Sequence, residues 1–150
     1  MKHYKAKNIL QILFLSLFSI IISKTEARER YNFNSDWLLK IGDHKNAESI
    51  KFEDIDWNKV TLPRAFNEDE VFKLDIKDLT DTIVWYRKHF KLPSNSKNKK
   101  IFIEFEGVRQ AADFYINGHH IGLHENGVMA VGFDLTPYIS PKGNNVLAVR

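Results

Sequence analysis

The sequence has 150 residues, no cysteine, 27% charged residues and a formal net charge of +3. Without cysteine there are no disulfides and no lipid-modified cysteine anchor, so stability must come from burial alone. Lys2, Lys5, Lys7 and Lys24 against Glu26 account for the whole charge, and from Arg28 onward 18 basic residues balance 18 acidic ones. That balance withdraws the main support for a nucleic-acid or membrane-surface partner.

Met1 to Asn8 is basic, and Ile9 to Ile22 is apolar apart from Gln11, Ser16 and Ser19. The run is short for a bilayer span, which needs about 20 residues. With the small-residue site Thr25-Glu26-Ala27 it reads as a signal peptide over residues 1–27, cut after Ala27 or else after Ser23. An uncleaved anchor is the rival reading. Cleavage would leave no stable membrane span and an exported protein, periplasmic or extracellular. Residues 28–150 fit one domain.

Arg28 to Asn34 reads as a leader, and Trp37 to Ile41 as the first strand, closed by Gly42-Asp43. His44 to Ser49 is a polar loop, and Phe52, Ile55 and Trp57 follow. Val60 and Leu62 alternate up to Pro63, which lacks the N–H that pairing needs. Arg64 to Thr82 holds no Gly or Pro and no clean period, so a long structured loop with one helical turn is expected.

Ile83 to Leu92 is a strand with Val84, Tyr86, Lys88 and Phe90 on one face and Trp85, Arg87 and His89 on the other. Ser94 to Lys100 is a lysine-rich turn. Ile101, Ile103 and Phe105 then alternate with Phe102, Glu104 and Glu106, as in a strand buried on one face. Asp113 to Ile116 meets Asn117-Gly118, a pair suited to a type I′ turn because both residues accept positive φ. The return strand is expected over His119 to Ile121, stopping near Gly122. Val131 to Leu135, a Thr136-Pro137 break, a turn at Lys142 to Asn145 and a strand at Val146 to Val149 complete the pattern. The fold class is all-β, an antiparallel β-sandwich of the jelly-roll kind. The chain stops at Arg150 inside a strand pattern, so a longer natural protein and a domain truncated at that end are expected.

Complete catalytic machinery is not evident. Glu104 and Glu106 share a face about 6.6 Å apart, a separation that glycoside hydrolysis can use. Nothing nearby would split their pKa values, and a solvated face is the preferred account. His119 and His120 should point to opposite faces, which argues against a shared metal. His120 with His124 and Glu125 is the remaining metal alternative, against surface histidines beside a hairpin. No phosphate loop, dinucleotide motif or nucleophile elbow occurs. Neither a metal nor a cofactor is assigned. The pattern does suit a sugar surface, with flat rings at Trp57, Trp85, Tyr86 and Tyr115 and polar groups to fix hydroxyls. Asn67, Glu68 and Asp69 in one loop, and His124, Glu125 and Asn126 in another, are the candidate carbohydrate-binding residues. For Trp57 and Trp85 a core position is preferred.

Seven segments, in order, resemble the amino-terminal sugar-binding domain of family 2 glycoside hydrolases, the β-galactosidases, β-glucuronidases and β-mannosidases. They are Trp57–Pro63 (WNKVTLP), Trp85–Phe90 (WYRKHF), Ile103–Val108 (IEFEGV), Phe114–Gly122 (FYINGHHIG), His124–Gly127 (HENG), Phe133–Ile139 (FDLTPYI) and Asn144–Arg150 (NNVLAVR). The chain departs from the family at Arg64-Ala65-Phe66 and Glu125 to Met129, which leaves sugar and linkage open. The resemblance implies a β-galactosidase-like enzyme with a jelly roll, immunoglobulin-like domains and a (β/α)₈ barrel. That barrel would hold two glutamates and hydrolyse a β-glycoside with retention. No catalytic residue would lie in these 150 residues, which alone would be inactive. The implied partners are a β-linked glycoside or oligosaccharide and the remaining domains of the same chain, with room for an oligomer. The alternatives are a stand-alone carbohydrate-binding module and a structural sandwich for domain packing.

Overall fold

Eight strands and one 3₁₀ turn follow in chain order: β1 Trp37–Ile41, β2 Asn58–Val60, β3 Val84–Phe90, the turn Ser94–Ser96, β4 Phe102–Phe105, β5 Ala112–Ile116, β6 His119–His124, β7 Val131–Asp134 and β8 Asn145–Val149. They come from a computed structural model that describes residues 28–68 and 82–150. The expected signal peptide, Asp69 and most of the expected loop from Arg64 to Thr82 lie outside the described residues. Residues 28–32 belong to a separate unit from Phe33–Arg150. Among the described residues no helix is long and apolar enough to cross a membrane.

The larger sheet has the order β2-β1-β3-β8-β5-β6, and β4 pairs with β7 in a second sheet. Every pairing is antiparallel. One face of the larger sheet buries Trp37, Phe114, Ile116, Leu147 and Val149, and Ile103, Phe105, Val131 and Phe133 of the small sheet pack onto it. Phe114 is the centre of this contact, with its ring 4.9 Å from Phe105 and 4.8 Å from Phe133. The other face buries Trp85 and Ala148 beneath Ala47, Phe52 and Trp57, which lie in the segment between β1 and β2. The fold is therefore all-β, built as two packed layers with a loop covering the outer side.

This double cover explains β8. All five of its residues are buried, and it pairs with β3 on one side and β5 on the other. A strand covered on both faces has no polar alternation, and Val146 to Val149 shows none. The strand begins one residue earlier than its apolar run, at Asn145, which sequence reading assigned to the turn.

Asn117 has φ +51° and Gly118 φ +87°, the positive values that a two-residue hairpin between β5 and β6 requires. Replacing Gly118 by Val is expected to cost about 1–3 kcal/mol, the range for residues held in sparsely populated backbone regions. His119→Ala should cost far less, because its side chain is exposed. Thermal melts of the two variants check the difference, and equal losses would contradict it.

Beyond the turn, β6 does not stop near Gly122 but runs to His124. Gly122 punctuates packing here, not chain direction. A Cβ there would lie 2.5 Å from Cε1 of Phe133, so only glycine lets the small sheet approach. Register moves from Phe114↔Gly122 to Tyr115↔His120, which makes Ile121 the extra residue of a bulge.

Candidate functional site

The connection from β6 to β7 begins at the last residue of β6, His124, and folds against the segment before β5. Glu125, Asn126, Gly127 and Val128 on one side and Arg109 and Gln110 on the other line a cleft of about 640 Å³. Asn126 shapes the loop locally, because its Oδ1 accepts from the Val128 N–H at 3.0 Å, an Asx-type turn. Gly127 brings the two sides together: a Cβ there would lie 3.7 Å from the Gln110 nitrogen and 3.8 Å from the Arg109 Cα.

Chemically the lining offers a guanidinium, a carboxylate and two side-chain amides around an open space. Amides both donate and accept, the guanidinium only donates and the carboxylate accepts. A polyhydroxyl ligand is matched by such a mixture, since each hydroxyl donates once and accepts twice. Among the described residues no aromatic side chain lines the cleft. Val128 in the lining and the following Met129 have 88% and 59% of their surface exposed.

Of the residues singled out from sequence, Glu125 and Asn126 line this cleft, and His124, the last residue of β6, is paired with Ala112 and does not line it. The His124 Nε2 is buried and, among the described residues, has no hydrogen-bond partner. Asn67 and Glu68 do not line the cleft. They lie in a turn after Arg64, where Arg64 Nε is 3.5 Å from Glu68 Oε2. Tyr86 Oη donates to the Arg64 carbonyl at 2.9 Å, and burial holds its pKa above the usual value. Two of the proposed flat rings are core, as preferred: Trp57 and Trp85 are buried. Tyr86 packs partly buried against the inner core. Tyr115 is wedged between Trp85 at 5.8 Å and His120 at 5.1 Å.

Glu104 on β4 and Glu106 just after it are exposed and stand apart from the cleft lining. The histidines are separated too. His119 stacks near Tyr138 at 5.1 Å, while His120 Nε2 meets Asp113 Oδ1 at 3.0 Å.

Three polar clusters escaped sequence reading. Arg87 on β3 is fully buried, with Nε donating to Asp54 Oδ2 at 2.7 Å and Nη1 to the carbonyls of Ala47 and Ser49. Its guanidinium lies over the rings of Phe52 and Trp57 at 5.2 and 5.8 Å. The pattern gave only its face, because nothing in the sequence marks Asp54 as its partner. Asn145 is the second, a buried amide that ties the Asn117 side chain to the Ser140 backbone. Asp43 is the third, clamped by Arg150 through two bonds of 3.0 and 2.8 Å. The Arg150 hydrogen bonds hold the Asp43 carboxyl below its ordinary pKa. These clusters fix loops to the sheet and stand apart from the lining of the Arg109–Val128 cleft.

Residues 39–150 match the glycosyl hydrolases family 2, sugar binding domain. A β-glucuronidase of Formosa agariphila is 44% identical over 138 residues, covering 87% of this chain and 14% of that protein. A β-galactosidase of Thermoanaerobacter pseudethanolicus is 36% identical over 132 residues, covering 82% of this chain and 17% of that protein. Among solved structures, a family 2 β-glucuronidase superposes with TM-score 0.70 at 41% identity, covering 83% of this chain and 14% of the other. The Bacteroides uniformis β-glucuronidase does so with TM-score 0.72 at 30% identity, covering 82% and 14%. The chain thus spans about one-sixth to one-seventh of the length of these relatives. With a family match over three-quarters of its length and an all-β fold shared with these solved structures, the chain belongs to glycosyl hydrolase family 2, of which it carries the sugar-binding domain.

Proposed function

We propose that this chain is the amino-terminal jelly roll of an exported, β-galactosidase-like β-glycosidase, and that it contributes the Arg109–Val128 cleft to recognition of a β-linked glycoside. The observation that carries the reading is the cleft itself, where Arg109, Gln110, Glu125 and Asn126 converge with mixed donors and acceptors. His124, at the end of β6, leads into this loop. Asn67 and Glu68, in the turn after Arg64, and Asp69, outside the described residues, remain candidate contacts for the same ligand. The catalytic glutamates belong to a barrel elsewhere in the whole protein, in keeping with the small share of its relatives that this chain covers. Export rests on the basic start and apolar run of residues 1–22.

Hydrolysis assays on nitrophenyl β-galactoside and β-glucuronide test the reading. The full-length protein should turn over one of them, and residues 28–150 alone should turn over neither. Turnover by residues 28–150 that vanishes in Glu104→Gln or Glu106→Gln would contradict the reading and make those residues catalytic. Oligosaccharide binding by a chain with no hydrolytic continuation would favour a stand-alone binding module instead.

A further inference from the structure

The dipeptide Asn-Gly occurs twice, at Asn117–Gly118 and Asn126–Gly127, in opposite chemical situations. Asn117 is fully engaged. Its Nδ2 donates to the Tyr138 carbonyl and to Asn145 Oδ1, both at 2.9 Å, and its Oδ1 accepts from the Val146 N–H at 2.8 Å. Asn126 is exposed. Its Oδ1 accepts from the Val128 N–H at 3.0 Å, and among the described residues no acceptor holds its Nδ2.

We propose that Asn126 is a modification site, converting by spontaneous deamidation to aspartate and isoaspartate on the rim of the cleft. The Gly127 amide nitrogen gives its proton to hydroxide and attacks the Asn126 Cγ. The new N–Cγ bond closes a five-membered imide as the Cγ–Nδ2 bond breaks, and Nδ2 takes up a proton and leaves as ammonia. Water then opens the imide at either carbonyl, and no oxidation or reduction is involved. Glycine as the next residue leaves the attacking nitrogen unshielded. Negative charge builds on Oδ1 in the tetrahedral adduct, and the Val128 N–H already points at that oxygen, where a placed donor stabilises such charge.

At Asn117 the same reaction requires the side chain to leave three hydrogen bonds and release a leaving group that two acceptors hold. A tenfold rate ratio corresponds to about 1.36 kcal/mol, less than the loss of that network. Native Asn117 should therefore react at least about tenfold more slowly than Asn126. The product matters if the cleft binds sugar as proposed above: a group that donates and accepts becomes one that only accepts, beside Glu125.

The experiment ages the purified full-length protein at mildly alkaline pH and follows both peptides by mass spectrometry, with isoaspartyl methylation as a second readout. A parallel sample is aged in urea. Conversion of the Asn126 peptide at least about tenfold faster than the Asn117 peptide in the native sample, and similar rates in urea, would support the proposal. Equal native rates, slower reaction at Asn126, or a ratio that persists in urea would overturn it. None of these readouts depends on sugar binding, so this inference and the cleft's proposed role fail separately.

Discussion

Replacing Asp54 by alanine is expected to destabilise the protein by about 3–5 kcal/mol, the range for removing one partner of a buried ion pair. Arg87 is 0% exposed and Asp54 12%, and among the described residues their 2.7 Å bond is the only contact of the guanidinium with a carboxylate. Without Asp54 the charge stays buried against Phe52 and Trp57 with only carbonyl partners. The outer cover of the sheet, which holds Ala47, Phe52 and Trp57 in place, should loosen first. A denaturant titration of wild type and variant measures the loss, and a change under 1 kcal/mol would show that the pair is dispensable.

The same pair predicts an acid dependence. Burial alone opposes ionisation of Asp54 most strongly, but the hydrogen bonds and charges of Arg87 and His89 together outweigh it and hold its pKa low. A carboxylate whose folded pKa is depressed contributes stability above its unfolded pKa of about 3.9. That contribution is lost as pH falls through the folded value. Asp54→Asn should therefore flatten the fall of stability below about pH 4. Asp36, Asp43, Asp56 and Asp134 are also held low by their partners, so part of the slope should remain.

Asn145→Ala is the second large effect. The Asn145 amide accepts from Asn117 Nδ2 and the Ser140 N–H and donates to the carbonyls of Ser140 and Gly143. The residue is completely buried. Truncation strands several of these groups away from water, at about 1–3 kcal/mol for each one left unsatisfied. A total near 3 kcal/mol is expected after partial relaxation. Asn145→Asp separates charge from shape, because it keeps the acceptor for Asn117 and Ser140 but loses the donors. Chemical melts of both variants check this, and a loss in Asn145→Ala smaller than in Gly118→Val would contradict a central role for the amide.

Most strands were legible because their patterns had physical causes visible locally. Trp37 to Ile41 is apolar between turn residues, and Ile103 and Phe105 alternate with exposed acids because only one side of the small sheet is buried. What escaped were residues whose role depends on distant partners. Gly122 looks like a stop until Phe133 is placed beside it. Asn145 looks like a turn residue until Asn117 and Ser140 reach it from other segments. Arg87 reads as a polar face, yet it is buried because Asp54 and two carbonyls arrive from 33 to 40 residues away. The candidate site was legible in half: Glu125 and Asn126 were named, while Arg109 and Gln110, in an irregular segment with no pattern of their own, were not. Of the flat rings, Trp57 and Trp85 are buried, the position preferred from sequence, and Tyr86 and Tyr115 pack partly buried against the cores. In this fold, tryptophan and tyrosine at strand spacing fill the two cores, and the cleft is polar.

The proposed sugar-recognising role of the cleft is tested most directly by Arg109→Ala in the full-length protein, assayed on a nitrophenyl β-glycoside that the wild type is found to turn over. Arg109 lines the cleft without belonging to either core, so folding should be unaffected. Loss of a charged hydrogen bond to the sugar of about 1.5 kcal/mol would raise KM roughly tenfold with little change in kcat. KM and kcat both equal to wild type would contradict the cleft's role in recognition and leave this domain as a packing element.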